Sequence, residues 1–320
     1  VSTTPSADGA ASYGIKRILV AVDSSSVAAR AAAYIRYMVA PGVRLHIVSV
    51  AENPAVLVPL GSIADAELQT IRAELFRDAS EAVAHVKEIF APLDSKVDVE
   101  VLERSRQGGY TANALIDAAT KWQADLVVVG ARQHHGLLRW VEGTVSEFVT
   151  TQASCSVLIV PASYEDEIHA FPRRILFALD GSRTSLDALR FGLQFATPES
   201  SLRAVYVVDR AVRLTDLIPI HVLEDAFKDE GNTILAAAAR VFANLPNHVE
   251  TGLIKTKQTG DDVPHTIVRE ARRWHADLVV VGTHGRRGLA RWFLGSVADR
   301  TARITSTPLL LARPGPNSSS

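Results

Sequence analysis

The sequence predicts an α/β chain of two tandem doubly wound, Rossmann-like domains, each with a five-stranded parallel sheet, packed together as a pseudo-twofold dimer. Three observations lead there. The chain repeats itself: "KWQADLVVVG" (Lys121 to Gly130) recurs as "RWHADLVVVG" (Arg273 to Gly282), 152 positions later, and at the same spacing "GLLRWVEGTVSEF" meets "GLARWFLGSVADR". Earlier, "RILVAVDSS" (Arg17 to Ser25) answers "RILFALDGS" (Arg174 to Ser182) 157 positions on, so a net difference of five residues separates the first strands from the Gly108/Gly260 pair. Within each copy, apolar runs rich in β-branched residues alternate with helix-length amphipathic segments. Finally, 320 residues with 47% hydrophobic content suffice for two packed cores.

In the first copy the strands read "RILVAV", "RLHIVSV", "VDVEVL", "DLVVVG" and "SVLIV"; in the second they read "RILFAL", "LRAVYVV", "HVETGLI", "DLVVVG" and "PLLLA". Between them, "SSVAARAAAYIRYMVA", "LQTIRAELFRDASEAVAHVKEIF" and "TANALIDAATKW" are long and Ala-rich enough for helices. Strands that read as continuous apolar runs and alternate with helices imply a parallel sheet covered on both faces. Right-handed crossovers then place ligands at the carboxyl ends of the strands. The short fifth strands should lie at sheet edges, which pair readily with another edge. The expected organisation is a disordered tail over 1–14, a first domain over 15–161, a linker over 162–172 within "PASYEDEIHAFP", a second domain over 173–314 and a tail over 315–320.

Composition narrows the function. A formal net charge of -1 gives no basic field of the kind that nucleic acid or an anionic membrane calls for, so neither is an expected partner. Cys155 is the only cysteine, which excludes an intrachain disulfide and thiolate metal clusters. The opening "VSTTPSADGAASYG" resembles neither a signal peptide nor an anchor, and no uncharged apolar run approaches the roughly 20 residues of a bilayer span. The expected location is the cytoplasm.

The chemistry concentrates in "GTHGRRGLARWFLGS" (Gly282 to Ser296). It follows a strand at the carboxyl edge and precedes the helix "SVADRTARI", whose amino end presents unpaired N–H groups and a partial positive charge. Glycines let a backbone approach an anion, and Ser296 offers a hydroxyl that either caps the helix or bonds a phosphate oxygen. Asp180, ending the first strand at the same edge, is an acceptor suited to a ribose hydroxyl or a base amino group. Equally, glycine at strand ends and serine at helix starts are ordinary punctuation. Spacing alone leaves both readings open.

Duplicated domains with "ALDGS", a later "VVVGTHG", nine further residues and "GS" resemble the universal stress protein family, and the resemblance covers Lys16 to Pro161 and Arg173 to Pro314. It implies ATP or a related adenine nucleotide as ligand, with Mg possible alongside the phosphates, because one branch of that family binds ATP through Gly-x2-Gly-x9-Gly-Ser/Thr. The second copy fits as Gly282, Gly285, Gly295 and Ser296. By the same resemblance, Ala178, Leu179 and Asp180 border adenine and ribose, Val207 lines the base, Val281, His284 and Gly285 lie along ribose and phosphates, and Gly295, Ser296, Val297 and Ala298 form the phosphate-binding helix start. The matching first-copy positions are Ala21, Val22, Asp23, Val50, Gly130, Arg132, Gly143, Thr144, Val145 and Ser146. There Gln133 stands where the second glycine should be. If that position needs positive φ, a side chain costs about 1–2 kcal/mol, or roughly a tenfold weaker site.

The remaining candidates read as structural. His134 and His135 are adjacent and share no face, so no metal site is expected; Arg286, Arg287 and Arg291 either screen phosphate charge or are solvated. Cys155 reads as a small packed residue, and Trp122, Trp140, Trp274 and Trp292 as packing against the sheet. No triad accompanies His284. The family's fifth strand mediates dimers, so a tandem chain is expected to pair its own fifth strands, with a homodimer as a further option. The expected role is a stress-responsive switch that alters conformation or partner affinity with nucleotide occupancy, rather than a catalyst. A slow ATPase or adenylyl-transfer enzyme and a nucleotide-free, chaperone-like scaffold are the alternatives. Against the transferase, "SSSVAAR" and "GSRTSLDALR" lack the histidine pairs or Ser-Gly-Gly run associated with such enzymes.

Overall fold

The computed structural model describes residues 14–54, 65–103, 111–131, 145–164, 171–210, 220–257, 260–285 and 294–313. The first repeat runs β1 (Arg17–Val22), α1 (Ser26–Arg36), β2 (Arg44–Ala51), α2 (Asp65–Phe90), β3 (Val97–Glu103), α3 (Thr111–Trp122), β4 (Leu126–Ala131), α4 (Val145–Gln152) and β5 (Ser156–Pro161). The second runs β6 (Arg174–Leu179), α5 (Arg183–Gly192), a short 3-10 turn, β7 (Ser201–Val208), α6 (Ile220–Phe242), β8 (His248–Lys255), α7 (Val263–Arg273), β9 (Leu278–Gly282), α8 (Ser296–Ile304) and β10 (Leu309–Ala312).

Local chemistry sets the helix starts. Ser25 and Ser182 cap α1 and α5 by accepting from the N–H of Ala28 and Ser185, and Asp262 caps α7 by accepting from His265, with Pro264 in the first turn. At the other ends of α3 and α7, Gln123 (φ 54°) and His275 (φ 52°) take the left-handed turn that returns the chain to the sheet. The shared "AD" of each copy also has a structural task. Asp125 Oδ2 accepts from the N–H groups of Lys16 and Arg17, both at 2.9 Å, and Asp277 Oδ2 does the same for Arg173 and Arg174 at 2.8 Å. Each aspartate thus ties the start of the fourth strand of its repeat to the start of the first.

All ten strands form one sheet in the order β3-β2-β1-β4-β5-β10-β9-β6-β7-β8. Pairing is parallel within each repeat and antiparallel only between β5 and β10. Across that seam Leu310 pairs with Leu158, its own counterpart in the repeat, flanked by Leu309–Ile159 and Leu311–Val157. The pseudo-twofold axis therefore passes through the Leu158–Leu310 pair. Apolar side chains alternate between two layers, one on each face of the sheet. One layer takes Ile175, Phe177 and Leu179 with α1, α5 and α6; the other takes Leu176, Ala178 and Val281 with α3, α4, α7 and α8. No helix among the described residues is long and apolar enough to cross a membrane.

Side chains also bind the repeats together. Tyr34 on α1 is buried, and its hydroxyl donates 2.7 Å to the carbonyl of Asp277. Arg313, after β10, donates through Nη2 to the carbonyls of Thr150 and Thr151 at the end of α4, at 3.0 and 3.2 Å. On α8, Arg303 pairs with Glu147 of α4.

Candidate functional site

Within the second repeat the strand order reverses at β6, which has β7 on one side and β9 on the other. A crevice at the carboxyl ends of β6 and β9 is where such a sheet accepts ligands. Asp180 follows β6 there. Its Oδ1 accepts from the N–H and the hydroxyl of Ser182, at 2.9 and 2.6 Å, so the carboxylate is oriented before any ligand arrives. The Ser182 hydroxyl lies 2.8 Å from that of Thr184, and the Thr184 hydroxyl donates to the carbonyl of His284. The turn after β6 thereby holds the turn after β9.

The three motif glycines have different physical reasons. A Cβ on Gly282 would stand 3.1 Å from the Thr184 carbonyl oxygen and 3.2 Å from Ser185 Cα and N, all backbone of the first turn of α5. Gly130 shows the same constraint more tightly, at 2.8 Å from the Val27 carbonyl oxygen. These two glycines let a helix pack on the end of a strand. Gly295 is the N-cap of α8 in extended conformation; its N–H donates 2.8 Å to the carbonyl of Thr283, and a Cβ would stand 3.2 Å from that oxygen. Gly285 faces chemistry instead, since a Cβ there would stand 3.0 Å from Asp180 Oδ2. Among the described glycines, positive φ occurs at Gly42, Gly181 and Gly260 and not at Gly285. The glycine requirement at 285 is therefore one of space, and the premise of a left-handed backbone at this position does not hold.

Ala178, Val281 and Ala298 are buried in one layer, with Val207 and Val297 packed against it, so these predicted residues share a face of the sheet. Leu179 differs. Its side chain belongs to the opposite layer from Ala178; Val22 departs from Ala21 in the same way in the first repeat. Ser296 is the first residue of α8, and with Gly295 as N-cap the helix has no side-chain cap bond. Its exposed hydroxyl is not the cap. His284 Nδ1 lies 3.0 Å from the Thr283 hydroxyl, and its Nε2 is buried without a protein partner among the described residues. Burial, followed by the neighbouring Arg313 guanidinium, lowers its pKa from the ordinary histidine value.

In the first repeat, Asp23 Oδ1 accepts 3.0 Å from the N–H of Ser25 and also from its hydroxyl, as Asp180 does from Ser182. Val50 packs against the same layer as Ala21, Val145 opens α4, and Ser146 is buried on it. Gly130 is the penultimate residue of β4, whereas Arg132, Gln133, Gly143 and Thr144 lie outside the described residues, as do Arg286, Arg287, Arg291, His134, His135, Trp140 and Trp292. Sequence reasoning missed Ser182, Thr184 and Arg313. Aligning the copies would have shown that Thr184 corresponds to Val27, which has no hydroxyl for the tie to the second turn.

The family model for the universal stress protein family matches residues 14–161 and 172–313. The chain belongs to the universal stress protein family. A universal stress protein of Mycobacterium tuberculosis (strain H37Rv) is 27% identical over 302 residues, covering 83% of this chain and 95% of its own length. One from Mycolicibacterium smegmatis is 30% identical over 203 residues, covering 63% of this chain, and the match spans 66% of that relative's length. Among solved structures, a universal stress protein from Archaeoglobus fulgidus matches with a TM-score of 0.59 at 18% identity, covering 94% of this chain and 99% of its own. A putative one from Pseudomonas aeruginosa matches at 0.53 and 16% identity, covering 94% of each chain. These likenesses establish the fold of a tandem universal stress protein.

Proposed function

We propose that the chain binds ATP or a related adenine nucleotide at the carboxyl edge of the second repeat, more tightly than at the first, and that occupancy switches its conformation or partner affinity. The observation that carries this reading is the meeting of a pre-oriented Asp180 carboxylate, the side-chain-free path at Gly285 and the amino end of α8. Asp180 suits a ribose hydroxyl. With Gly295 contributing no side-chain acceptor, the first-turn N–H groups of α8 are directed to a ligand, and a phosphate is the group that such an end favours. The buried His284 Nε2 supplies a further polar atom seeking a partner. Val207, Val281 and Ala298 offer an apolar wall for a base. Mg would accompany the phosphates through ligand and water oxygens, in keeping with its preference for retained waters. Two domains over 15–161 and 173–314, acting in the cytoplasm, complete the proposal.

Mass spectrometry of the native protein as purified, followed by calorimetric titration with ATP, tests it. Bound adenine nucleotide and one tight site per chain are expected. A protein that carries none and takes up none at millimolar ATP refutes the reading, and turnover of bound ATP to ADP would move it to the enzyme class.

A further inference from the structure

A cavity of about 550 Å³ opens at the opposite, amino edge of the second repeat's sheet, against the seam between repeats. Arg173 and Arg174 enter it from the start of β6, Arg272 and His275 from the end of α7, Ser306 from the turn before β10, and Ser163 from the chain that leaves β5. Among the described residues, none of the three guanidinium groups has an ion-pair partner. Arg174 Nη1 donates 3.3 Å to the carbonyl of Trp274, and Arg272 Nε donates 3.1 Å to the hydroxyl of Ser306. The carboxylate in the wall, Asp277, turns Oδ2 onto the backbone N–H groups of Arg173 and Arg174. Three guanidinium groups and His275 outnumber Asp277, the one carboxylate among the described residues that line the cavity, and an excess of positive charge of this kind favours an anion.

The first repeat keeps a basic pair before its first strand, Lys16 and Arg17 for Arg173 and Arg174, but lacks the other two basic residues. In the first repeat, 152 positions earlier, Thr120 stands for Arg272 and Gln123 for His275, on the same backbone: Gln123 and His275 share the left-handed φ, at 54° and 52°. Asp125 makes the same pair of backbone bonds as Asp277. The added charge of Arg272 and His275 belongs to the second repeat, and Ser163, from the chain that leaves β5, lines the cavity beside them.

We propose that this cavity is a second ligand site, separate from the carboxyl-edge crevice, for a small soluble molecule bearing a phosphate or pyrophosphate group. Planar guanidinium forks match phosphate oxygens two at a time, and the hydroxyls of Ser163 and Ser306 extend the polar lining. The volume fits a small molecule. The probe is inorganic pyrophosphate, titrated calorimetrically into the full chain, into R272T/H275Q carrying the first repeat's residues, and into Gly285→Ala, which alters the other site. Arg272 and His275 are exposed, so the double variant is expected to keep the wild-type Tm, measured alongside. Saturable binding to the wild type, at least tenfold weaker in R272T/H275Q and unchanged in Gly285→Ala, is the expected pattern. No saturable binding, a drop of less than tenfold in the double variant, or a comparable drop in Gly285→Ala overturns the proposal.

Discussion

Substituting alanine at Gly282 and at Gly285 separates the glycine that packs the fold from the glycine that clears the crevice. At 282 the new methyl meets three backbone atoms of α5 at 3.1–3.2 Å, and backbone cannot rotate aside. The helix or the strand has to move by a few tenths of an ångström, and overpacking of that kind costs about 1–3 kcal/mol. At roughly 3 °C per kcal/mol, the expected fall in Tm is about 3–9 °C. At 285 the methyl meets a single atom, Asp180 Oδ2 at 3.0 Å, at the end of a side chain that can turn. Turning breaks the 2.9 and 2.6 Å bonds that orient the carboxylate, so stability changes little while ATP affinity falls about tenfold, the equivalent of roughly 1.4 kcal/mol. Thermal melts and calorimetric ATP titration of both variants decide the matter. A destabilised Gly285→Ala that binds ATP normally, or a Gly282→Ala with unchanged Tm, would refute the division of roles.

Four further outcomes follow from the same structure. Gln133→Gly is expected to strengthen nucleotide binding to the first repeat about tenfold, by restoring the space that Gly285 provides beside Asp180, and titration stoichiometry reports it. Arg303→Ala and Glu147→Ala, combined in a double-mutant cycle by chemical denaturation, should give a coupling of about 1 kcal/mol across the seam, because both side chains are largely shielded from water. Tyr34→Phe should cost about 1 kcal/mol by removing the hydroxyl that donates to the Asp277 carbonyl, as chemical denaturation reports. Burial lowers the pKa of both His46 and His284, so the unfolded chain takes up protons from about pH 6.5 downward before the folded chain does. Their contribution to stability is complete above that pH and declines as the pH falls through it; melts between pH 8 and 5 should show a shallower decline in His46→Gln and His284→Gln.

The order of elements was legible because period and repetition report burial directly: strands covered on both faces read as "DLVVVG" in both copies, and a duplicated pattern fixes the duplicated fold. Fifth-strand pairing was legible as an edge in need of a partner. Side-chain direction was less so, since the alternation that sends Ala178 and Leu179 to opposite layers becomes meaningful only once the ligand's face is known. The reason for each glycine was hidden as well. Spacing cannot distinguish a glycine pressed by a helix backbone, as at 282, from one facing a carboxylate, as at 285, because both contacts come from residues about 100 positions away. For the same reason the hydroxyl tie from Thr184 to the His284 carbonyl escaped a reading along the chain. Cys155 conforms to its packing role, with burial pushing the thiol up to about 11.

The seam shows what fusion of two repeats permits. In a symmetric dimer joined by one surface to itself, every contact occurs twice. Here the backbone ladder obeys that rule, with Leu158 opposite Leu310, but the side chains do not. Tyr34 has Phe191 as its counterpart, Arg303 has Thr151, Arg313 has Pro161, and Ser156, whose hydroxyl accepts 3.2 Å from the Arg313 N–H, has Pro308. Each bond is therefore made once, in one direction, and neither repeat could stand in for the other without losing a donor or an acceptor. Covalent linkage keeps each repeat on its own side of the seam, so its residues need match only one neighbour. The same freedom covers differences at the proposed sites: Thr184 against Val27, Gly285 against Gln133, and Arg272 against Thr120. A single chain can thus carry the proposed carboxyl-edge sites of unequal strength and the proposed basic site on one side of its axis, an arrangement that two identical subunits could not form.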